Sequence, residues 1–317
     1  MRAGLSIDLD DLWSYQMIHG DPSWEDETSY LPTVVPLVLR FFADRGVTTT
    51  WFIVGRDAAR AEGGDVLGPV AAAGHEIGNH SLNHEPWLHL SGAAAIRRDI
   101  ITAHEAITVA TGVVPRGFRG PGYTVSSEIL AALMDAGYHY DASSLPTWIG
   151  PLARRYYFRS SDLTEDERAL RSELFGRWRD GTRTLRPQVF TNGDRDLVEA
   201  PVTVMPGLRL PFHFSYLLYL SGRSERLASS YLAAALRICR LRRIEPALLL
   251  HPLDFLGASE VPELAFFPGM ELRSEDKIAR LHRYLSQIEA SCDLVTMGDY
   301  VAGAGASARR RPVSAAP

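Results

Sequence analysis

The stretch Gly74-His75-Glu76-Ile77-Gly78-Asn79-His80-Ser81-Leu82-Asn83-His84 carries two imidazoles four residues apart. A helical turn beginning at the end of a strand would put His80 and His84 on one face, able to share a divalent cation. Such a pair alone fits two exposed helix histidines equally well, so its meaning depends on a third ligand. Asp8-Leu9-Asp10-Asp11 offers one. On an extended strand Asp8 and Asp10 point to the same side and Asp11 points away. One carboxylate with two imidazoles leaves positions open for water, the catalytic rather than the structural arrangement. Two further segments end in the same manner. In Gly117-Phe118-Arg119-Gly120-Pro121-Gly122-Tyr123 an arginine precedes a turn whose backbone N–H groups can approach a ligand closely. Leu248-Leu249-Leu250-His251-Pro252 places a histidine directly after an apolar run. Two other matches carry no such weight. His84-Glu85-Pro86-Trp87-Leu88-His89 is one residue too long for His-Glu-x-x-His and contains Pro86, and Ser274-Glu275-Asp276-Lys277 reads as a helix N-terminus.

These residues need elements to hold them. Up to eight short β-rich runs alternate with helical patterns: Ala3 to Leu9, Thr48 to Val54, His75 to Asn79, Arg116 to Arg119, Tyr138 to Asp141, Leu197 to Val204, Pro246 to Leu250 and Asp293 to Met297. Val34, Leu37, Val38, Phe41 and Phe42 give one helix its buried stripe, and Ile278, Leu281, Leu285 and Ile288 give another. Ser91 to Thr111, Ser126 to Ala136 with Gly137 as the stop, and Ser224 to Leu241 complete the helices. Asp8/Asp10, His80/His84, Arg119 and His251 then all fall at the C-terminal ends of different strands. That is the rim on which a βα barrel gathers its reactive side chains. Residues 142–192 lose the βα rhythm and read as an inserted cap on a single domain spanning 1–302, and 303–317 reads as a disordered tail.

Composition removes several other chemistries. With 33 basic and 38 acidic residues in 317, the formal charge is −5, which leaves no basic footprint for nucleic acid. Lys277 is the single lysine, so a Gly-x-x-x-x-Gly-Lys phosphate loop cannot exist. Cys239 and Cys292 are too few for a disulfide framework or a four-thiolate zinc site. No apolar stretch reaches signal-peptide length at the start or spanning length elsewhere, so the expected location is the cytoplasm. The longest apolar-aromatic run, Leu210 to Leu220, contains His213 and reads as core packing under the cap rather than as a lipid-facing surface.

The order Asp-x-Asp, His-Ser-x-x-His within Gly-His-Glu-Ile-Gly-Asn, Arg-Gly-Pro and Leu-x-Leu-His resembles the polysaccharide deacetylase family, also described as the NodB-homology or chitin deacetylase-like superfamily (carbohydrate esterase family 4-like). The resemblance covers roughly 3–141 and 197–296. It implies a distorted, incomplete (β/α) barrel of seven to eight parallel strands and metal-dependent hydrolysis of an N-acyl group, usually acetyl, from an amino sugar. Carried onto this sequence, it makes Asp10, His80 and His84 the metal ligands, Asp8 the general base, Arg119 the partner that orients Asp8, and His251 the general acid. It also puts an oxyanion donor among Gly120, Pro121, Gly122 and Tyr123.

Three departures matter. The first motif often reads Phe-Asp-Asp-Gly, so Asp10 as base with Asp11 as ligand stays open. Gly122 stands where an aromatic usually follows proline. Where many members have an Asp-Trp pair beside the acid histidine, this chain has Glu199-Ala200-Pro201, so Glu199 or Asp254 is the expected orienting group. The implied cofactor is a divalent metal, Zn²⁺ foremost, with Co²⁺, Ni²⁺, Mn²⁺ or Fe²⁺ compatible with the same donors. The expected substrate is a small N-acylated sugar, a sugar conjugate or a lipid-linked sugar. The competing readings are an allantoinase-like cyclic amidase of the same superfamily and a non-catalytic carbohydrate-binding barrel.

Overall fold

Arg2–Leu9 (β1) is the pivot of the fold because its sequence can be buried on both sides. Every residue from Ala3 to Leu9 is inaccessible, as expected of a strand inside a parallel sheet covered on both faces. The computed structural model describes residues 1–26, 28–161, 163–304 and 308–316. The remaining strands are Thr50–Ile53 (β2), Glu76–Asn79 (β3), Gly117–Phe118 (β4), Tyr140–Asp141 (β5), Gln188–Asn192 (β6), Arg195–Glu199 (β7), Ala247–Leu250 (β8), Asp293–Val295 (β9) and Arg309–Pro312 (β10). Their order across the sheet is β10-β6-β7-β5-β4-β3-β2-β1-β8, with β9 also paired to β1. Every described pairing is parallel except β6 with β7.

The helices between strands follow the apolar periods. Leu31–Ala43 buries Val34, Val35, Val38, Phe41 and Phe42, and Ser274–Glu289 buries Leu281, Leu285 and Ile288. Ser126 caps Ser127–Asp135 by accepting from the Ile129 N–H, and Ser224 caps Glu225–Leu241 by accepting from the Leu227 N–H, both at 3.3 Å. Lys277, the last residue of the Ser-x-x-Lys match, is buried on Ser274–Glu289 and donates to the carbonyls of Leu253 and Leu256 at 2.7 and 2.6 Å. Its ammonium thus ties this helix to the chain just after β8, a structural role.

The sheet is open, with β10 at one edge and β8 at the other, and the chain after β7 links the end of β5 to the start of β8. The Val202 N–H donates to Ser144 O at 2.8 Å and the Thr203 N–H to Ala247 O at 2.9 Å, while Thr203 Oγ1 accepts from the Ala247 N–H at 2.8 Å. The result is the distorted, incomplete (β/α) barrel expected from the sequence. The strand expected over Leu197 to Val204 stops at Glu199, two residues before Pro201, which has no N–H to give a ladder.

Two strands fall outside the eight expected. β6 lies at the end of the expected insertion and forms an antiparallel hairpin with β7, turning at Gly193-Asp194 with Gly193 at φ 64°. A glycine opening a two-residue loop between two alternating runs is the sequence signal for such a turn. β10 corrects the disordered-tail expectation for residues 309–312. Its backbone pairs in parallel with β6, and Arg310 meets Asp196 of β7 at 2.5 Å. A run of three arginines reads as solvated tail from composition, yet a strand edge needs only backbone groups and an acidic neighbour. Residues 305–307 and 317 of that expected tail lie outside the described residues.

The segment expected as a cap forms helix Gly150–Tyr157, helix Glu165–Leu170 and short 3₁₀ turns, and its Leu145, Ile149, Ala153 and Leu174 line the same cavity as Asp8 and Asp10. Leu174 and Tyr157 from this segment pack with Trp13, Met17 and Ile18 of helix Leu12–His19.

Candidate active site

The site begins where β1 runs out. Leu9 is the last strand residue, Asp10 follows it, and Asp11 caps the next helix by accepting from the N–H groups of Leu12 and Tyr30 at 2.8 and 3.1 Å. Asp8 and Asp10 line one cavity, and Asp11 faces away into the cap of its own helix with Arg60 3.8 Å from its other oxygen. Asp11 therefore does not join the imidazoles.

His80 and His84 follow β3, but the helical turn expected there is replaced by a loop with Ser81 at φ 66° and His84 at φ 50°. Asn79 Oδ1 accepts from the Ser81 N–H at 2.8 Å and Ser81 Oγ accepts from the His84 N–H at 3.1 Å. These side chain to backbone bonds take the place of helical ones. The loop still brings both rings to one carboxylate: His80 Nε2 is 3.2 Å and His84 Nε2 3.0 Å from Asp10 Oδ1. The donor atoms of the three residues lie within 4.8 Å of one another, and all three residues are buried.

His80 Nδ1 sits 2.6 Å from the Arg119 carbonyl oxygen, so Nδ1 carries hydrogen and Nε2 is the nitrogen left facing Asp10. Asp10 Oδ1 is buried without a hydrogen-bond donor. This spacing calls for positive charge between the ring nitrogens and the carboxylate, and a divalent cation would supply it to all three residues at once. The donor set of one oxygen and two imidazole nitrogens fits the borderline ions of catalytic sites. Burial pushes the Asp10 carboxyl up, but His84 and His80 override it and hold the group well below the usual carboxylate range. Burial likewise works against charge on His80, and Asp10 and Asp8 more than reverse it.

Asp8 is anchored from β4. Arg119 Nη1 donates to Asp8 Oδ1 at 2.6 Å and to Ser6 Oγ at 2.8 Å, and Nε donates to Ala142 O at 2.9 Å. The guanidinium is 1% exposed and lies 4.4 Å from the Phe52 ring centroid, so its position is fixed by packing as well as by hydrogen bonds. His251, directly after β8, places Nε2 4.0 Å from Asp8 Oδ2. Its Nδ1 is 3.1 Å from Ser215 Oγ, and its backbone N–H donates to Asp254 Oδ2 at 2.9 Å. Asp254 thus stands beside His251 through the backbone, with Ser215 as the side-chain partner of the ring.

Glu199 does not reach His251. It ends β7, accepts from Gln188 Nε2 at 3.2 Å, and lines a separate cavity with Arg183 and Ser144. Burial first, and Asp141 second, push its carboxyl up to about 8. β7 and β8 are separated by five strands in the sheet order, which sequence spacing could not reveal.

The expected oxyanion turn is tightly folded on itself. The Tyr123 N–H donates to Gly120 O at 3.1 Å, and the Gly120 N–H donates to Ser143 Oγ at 2.7 Å. The Tyr123 amide is therefore already engaged. Gly120, Gly122 and Tyr123 nevertheless line the cavity. Gly122 is at φ 60°, and a Cβ there would come within 2.7 Å of Pro86, so the turn needs glycine at this position.

Sequence reasoning missed several residues of the cavity. His213 is buried with neither ring nitrogen bonded, and its ring centroid is 6.2 Å from that of His251. Burial, then the neighbouring His251, hold it well below the ordinary histidine range. His213, Ser215 and Tyr216 all come from the run Leu210 to Leu220, read above as packing. Its apolar members Phe212, Phe214, Leu217 and Leu218 are buried in the core as expected, and the few polar residues interrupting the run were the available signal. His89, rejected as a ligand, is 3.3 Å from Glu173.

Known proteins share these features. The model of the polysaccharide deacetylase family matches residues 22–140, which include His80, His84 and Arg119. The chain resembles the polysaccharide deacetylases, as its motifs indicated. A chitooligosaccharide deacetylase of Sinorhizobium fredii is 30% identical over 107 residues, 33% of this chain and 48% of the relative, and one from a Bradyrhizobium species matches to the same extent. The chain thus aligns with about half the length of these curated relatives. In fold, a Mycobacterium smegmatis protein described as a candidate polysaccharide deacetylase superposes with a TM-score of 0.62 at 20% identity, over 97% of this chain and 92% of that one. A 4-alpha-glucanotransferase of Thermococcus litoralis superposes with a TM-score of 0.51 at 14% identity, over 95% of this chain and 38% of that one. No described helix is long and apolar enough to cross a membrane.

Proposed function

We propose that this protein is a metal-dependent hydrolase that removes an N-acyl group, acetyl in the simplest case, from an amino sugar or a conjugate of one. The observation that carries the reading is the meeting of Asp10, His80 and His84 beside the Asp8–Arg119 pair and His251 in one cavity. The similarity to chitooligosaccharide deacetylases supports an amino-sugar amide as the bond attacked. Two free buried thiols, Cys239 and Cys292, support a reducing compartment such as the cytoplasm.

Asp10, His80 and His84 would hold the ion. A divalent cation bound there supplies Lewis-acid charge, which acidifies water and polarises the amide carbonyl. The chain's own residues do the rest. Asp8 takes the proton of the attacking water as general base, and Arg119 together with Ser6 keeps its carboxylate aimed across the cavity. His251, on the far side of Asp8, delivers a proton to the departing nitrogen, and Ser215 holds its ring at Nδ1. An amine without that proton is too poor a leaving group to depart. Gly120 and Gly122 bring backbone against the position of the carbonyl oxygen.

The test is incubation of the purified protein, with and without added divalent ions, with N-acetylated monosaccharides, oligosaccharides and sugar conjugates, scored by released acetate. Ion-dependent release from an N-acetylated sugar is expected. Release that ignores the ion, or none from any member of the panel, would overturn the reading.

A further inference from the structure

We propose that the bond cleaved here carries an apolar acyl chain longer than acetyl, and that the cap exists to bury that chain. The inference rests on the hydrolase reading above and adds the class of acyl group.

The cavity over the reactive residues holds about 280 Å³. That is roughly nine times the ~30 Å³ share of one liquid water, room for a chain of about six to eight heavy atoms. Its two zones differ in chemistry. The floor carries Asp8, Asp10, His80, His84 and His251. The upper wall comes from the cap, with Leu145, Ile149, Ala153 and Leu174 among its contributors, and from Tyr219 and Phe267 opposite. Among the described residues lining the cavity, Asp8 and Asp10 are the only carboxylates, and none is an amide side chain, a guanidinium or an ammonium.

A buried sugar ring needs a partner for each hydroxyl, because a buried unpaired polar group costs more than it returns. Thr147 Oγ1 donates to Arg209 O at 2.7 Å, Ser215 Oγ is held against His251 and the Tyr157 hydroxyl donates to Tyr15 O at 3.3 Å, so the hydroxyls left among the lining residues are phenol tips at the ends of aromatic rings. Such a wall presents mostly carbon, with scattered phenol tips in place of the carboxylate, amide and guanidinium groups that pair two at a time with sugar hydroxyls. It does suit methylene groups, which ask only to leave water. With the amide nitrogen toward His251, the acyl tail would take the apolar chamber and the polar amine the mouth.

Hydrolysis adds one water across the amide: the C–N bond breaks, a C–O bond forms, and the products are a fatty carboxylate and a free amine. Each methylene buried is worth about fourfold in affinity. The test uses the ion-supplied wild-type protein in two arms. In the first, N-acyl glucosamines from acetyl to octanoyl are hydrolysed beside N-acetyl chitooligosaccharides and an alkyl N-acetylglucosaminide. In the second, the product carboxylates from acetate to octanoate are titrated calorimetrically, which needs no turnover. We expect kcat/KM and carboxylate affinity both to rise about fourfold per methylene up to about six carbons. An Ala153→Phe variant, which fills the chamber, should move the optimum to shorter chains. Carboxylate affinity indifferent to chain length, or rates that climb with oligosaccharide length or follow the alkyl glycoside instead, would overturn the inference even if acetyl is released. Affinity that climbs while no amide is cleaved would sink the hydrolase reading and leave the apolar chamber standing.

Discussion

The floor and the roof of the cavity are built on opposite principles. The floor sits at the ends of β1, β3, β4 and β8, each placed by sheet pairing, and its charged groups are locked to one another: Arg119 to Asp8, both imidazoles to Asp10. The roof is irregular chain in which short helices lay aliphatic and aromatic side chains over the opening, with Tyr156 edge-on to Tyr219 at 6.1 Å. A rigid sheet can hold three ligand atoms within a few ångströms, as metal chemistry demands. A cap of loosely periodic chain can vary without disturbing that geometry, so it is the part free to decide what enters. If this division is real, floor substitutions should abolish turnover and roof substitutions should change selection.

The largest effect should come from the ion site. His84→Ala, or chelation of the wild type, is expected to lower kcat/KM on the order of 10³-fold, with bound metal measured by elemental analysis falling in parallel. Retained metal with full activity in His84→Ala would erase the distinction between floor and roof. Arg119→Ala comes next. It leaves Asp8 buried without its cation, so a loss of about 3–5 kcal/mol in denaturant stability is expected, and a turnover loss of about 100-fold from the misplaced carboxylate. Metal affinity should change little, and an equal loss of both would contradict the orienting role. On the roof, Tyr156→Ala removes a half-exposed apolar contact. A rise of about tenfold in KM, with kcat and metal content unchanged, is expected in steady-state kinetics. A fall in kcat instead would mean that the cap takes part in the floor's chemistry.

The smallest effect sharpens the comparison by using a buried carboxylate outside the cavity. Asp8 has Arg119 at 2.6 Å, whereas Glu199 accepts from the Gln188 amide at 3.2 Å, with Arg183 and Ser144 as lesser partners, and burial still pushes it up to about 8 from 4.5. A folded-state value above the unfolded one means that the folded protein holds the proton more tightly. The stabilisation from protonated Glu199 is therefore complete below about pH 4.5 and is lost progressively as pH rises to about 8, by at most about 5 kcal/mol. Glu199→Gln should flatten that decline in denaturant titrations across pH 4.5 to 8 while leaving turnover near wild type. An unchanged slope would show that other groups carry it.

The sequence by itself determined the parts whose physics is local. Eight strands and the main helices followed from apolar periods, caps and stop signals, and the rim residues followed from standing at strand ends. It also excluded a phosphate loop and a disulfide framework by simple absence of the residue types. Only the tertiary structure decided which carboxylate faces the imidazoles, because alternation separates Asp10 from Asp11 but cannot say which side is the cavity. It decided as well that Asp254 and Ser215, not Glu199, stand beside His251, since that depends on the order of strands across the sheet. The cap and the β6–β10 edge were hidden for a related reason: their positions are set by partners distant in sequence, and a charged run such as Arg309 to Arg311 looks like solvated tail until the strand it pairs with is known.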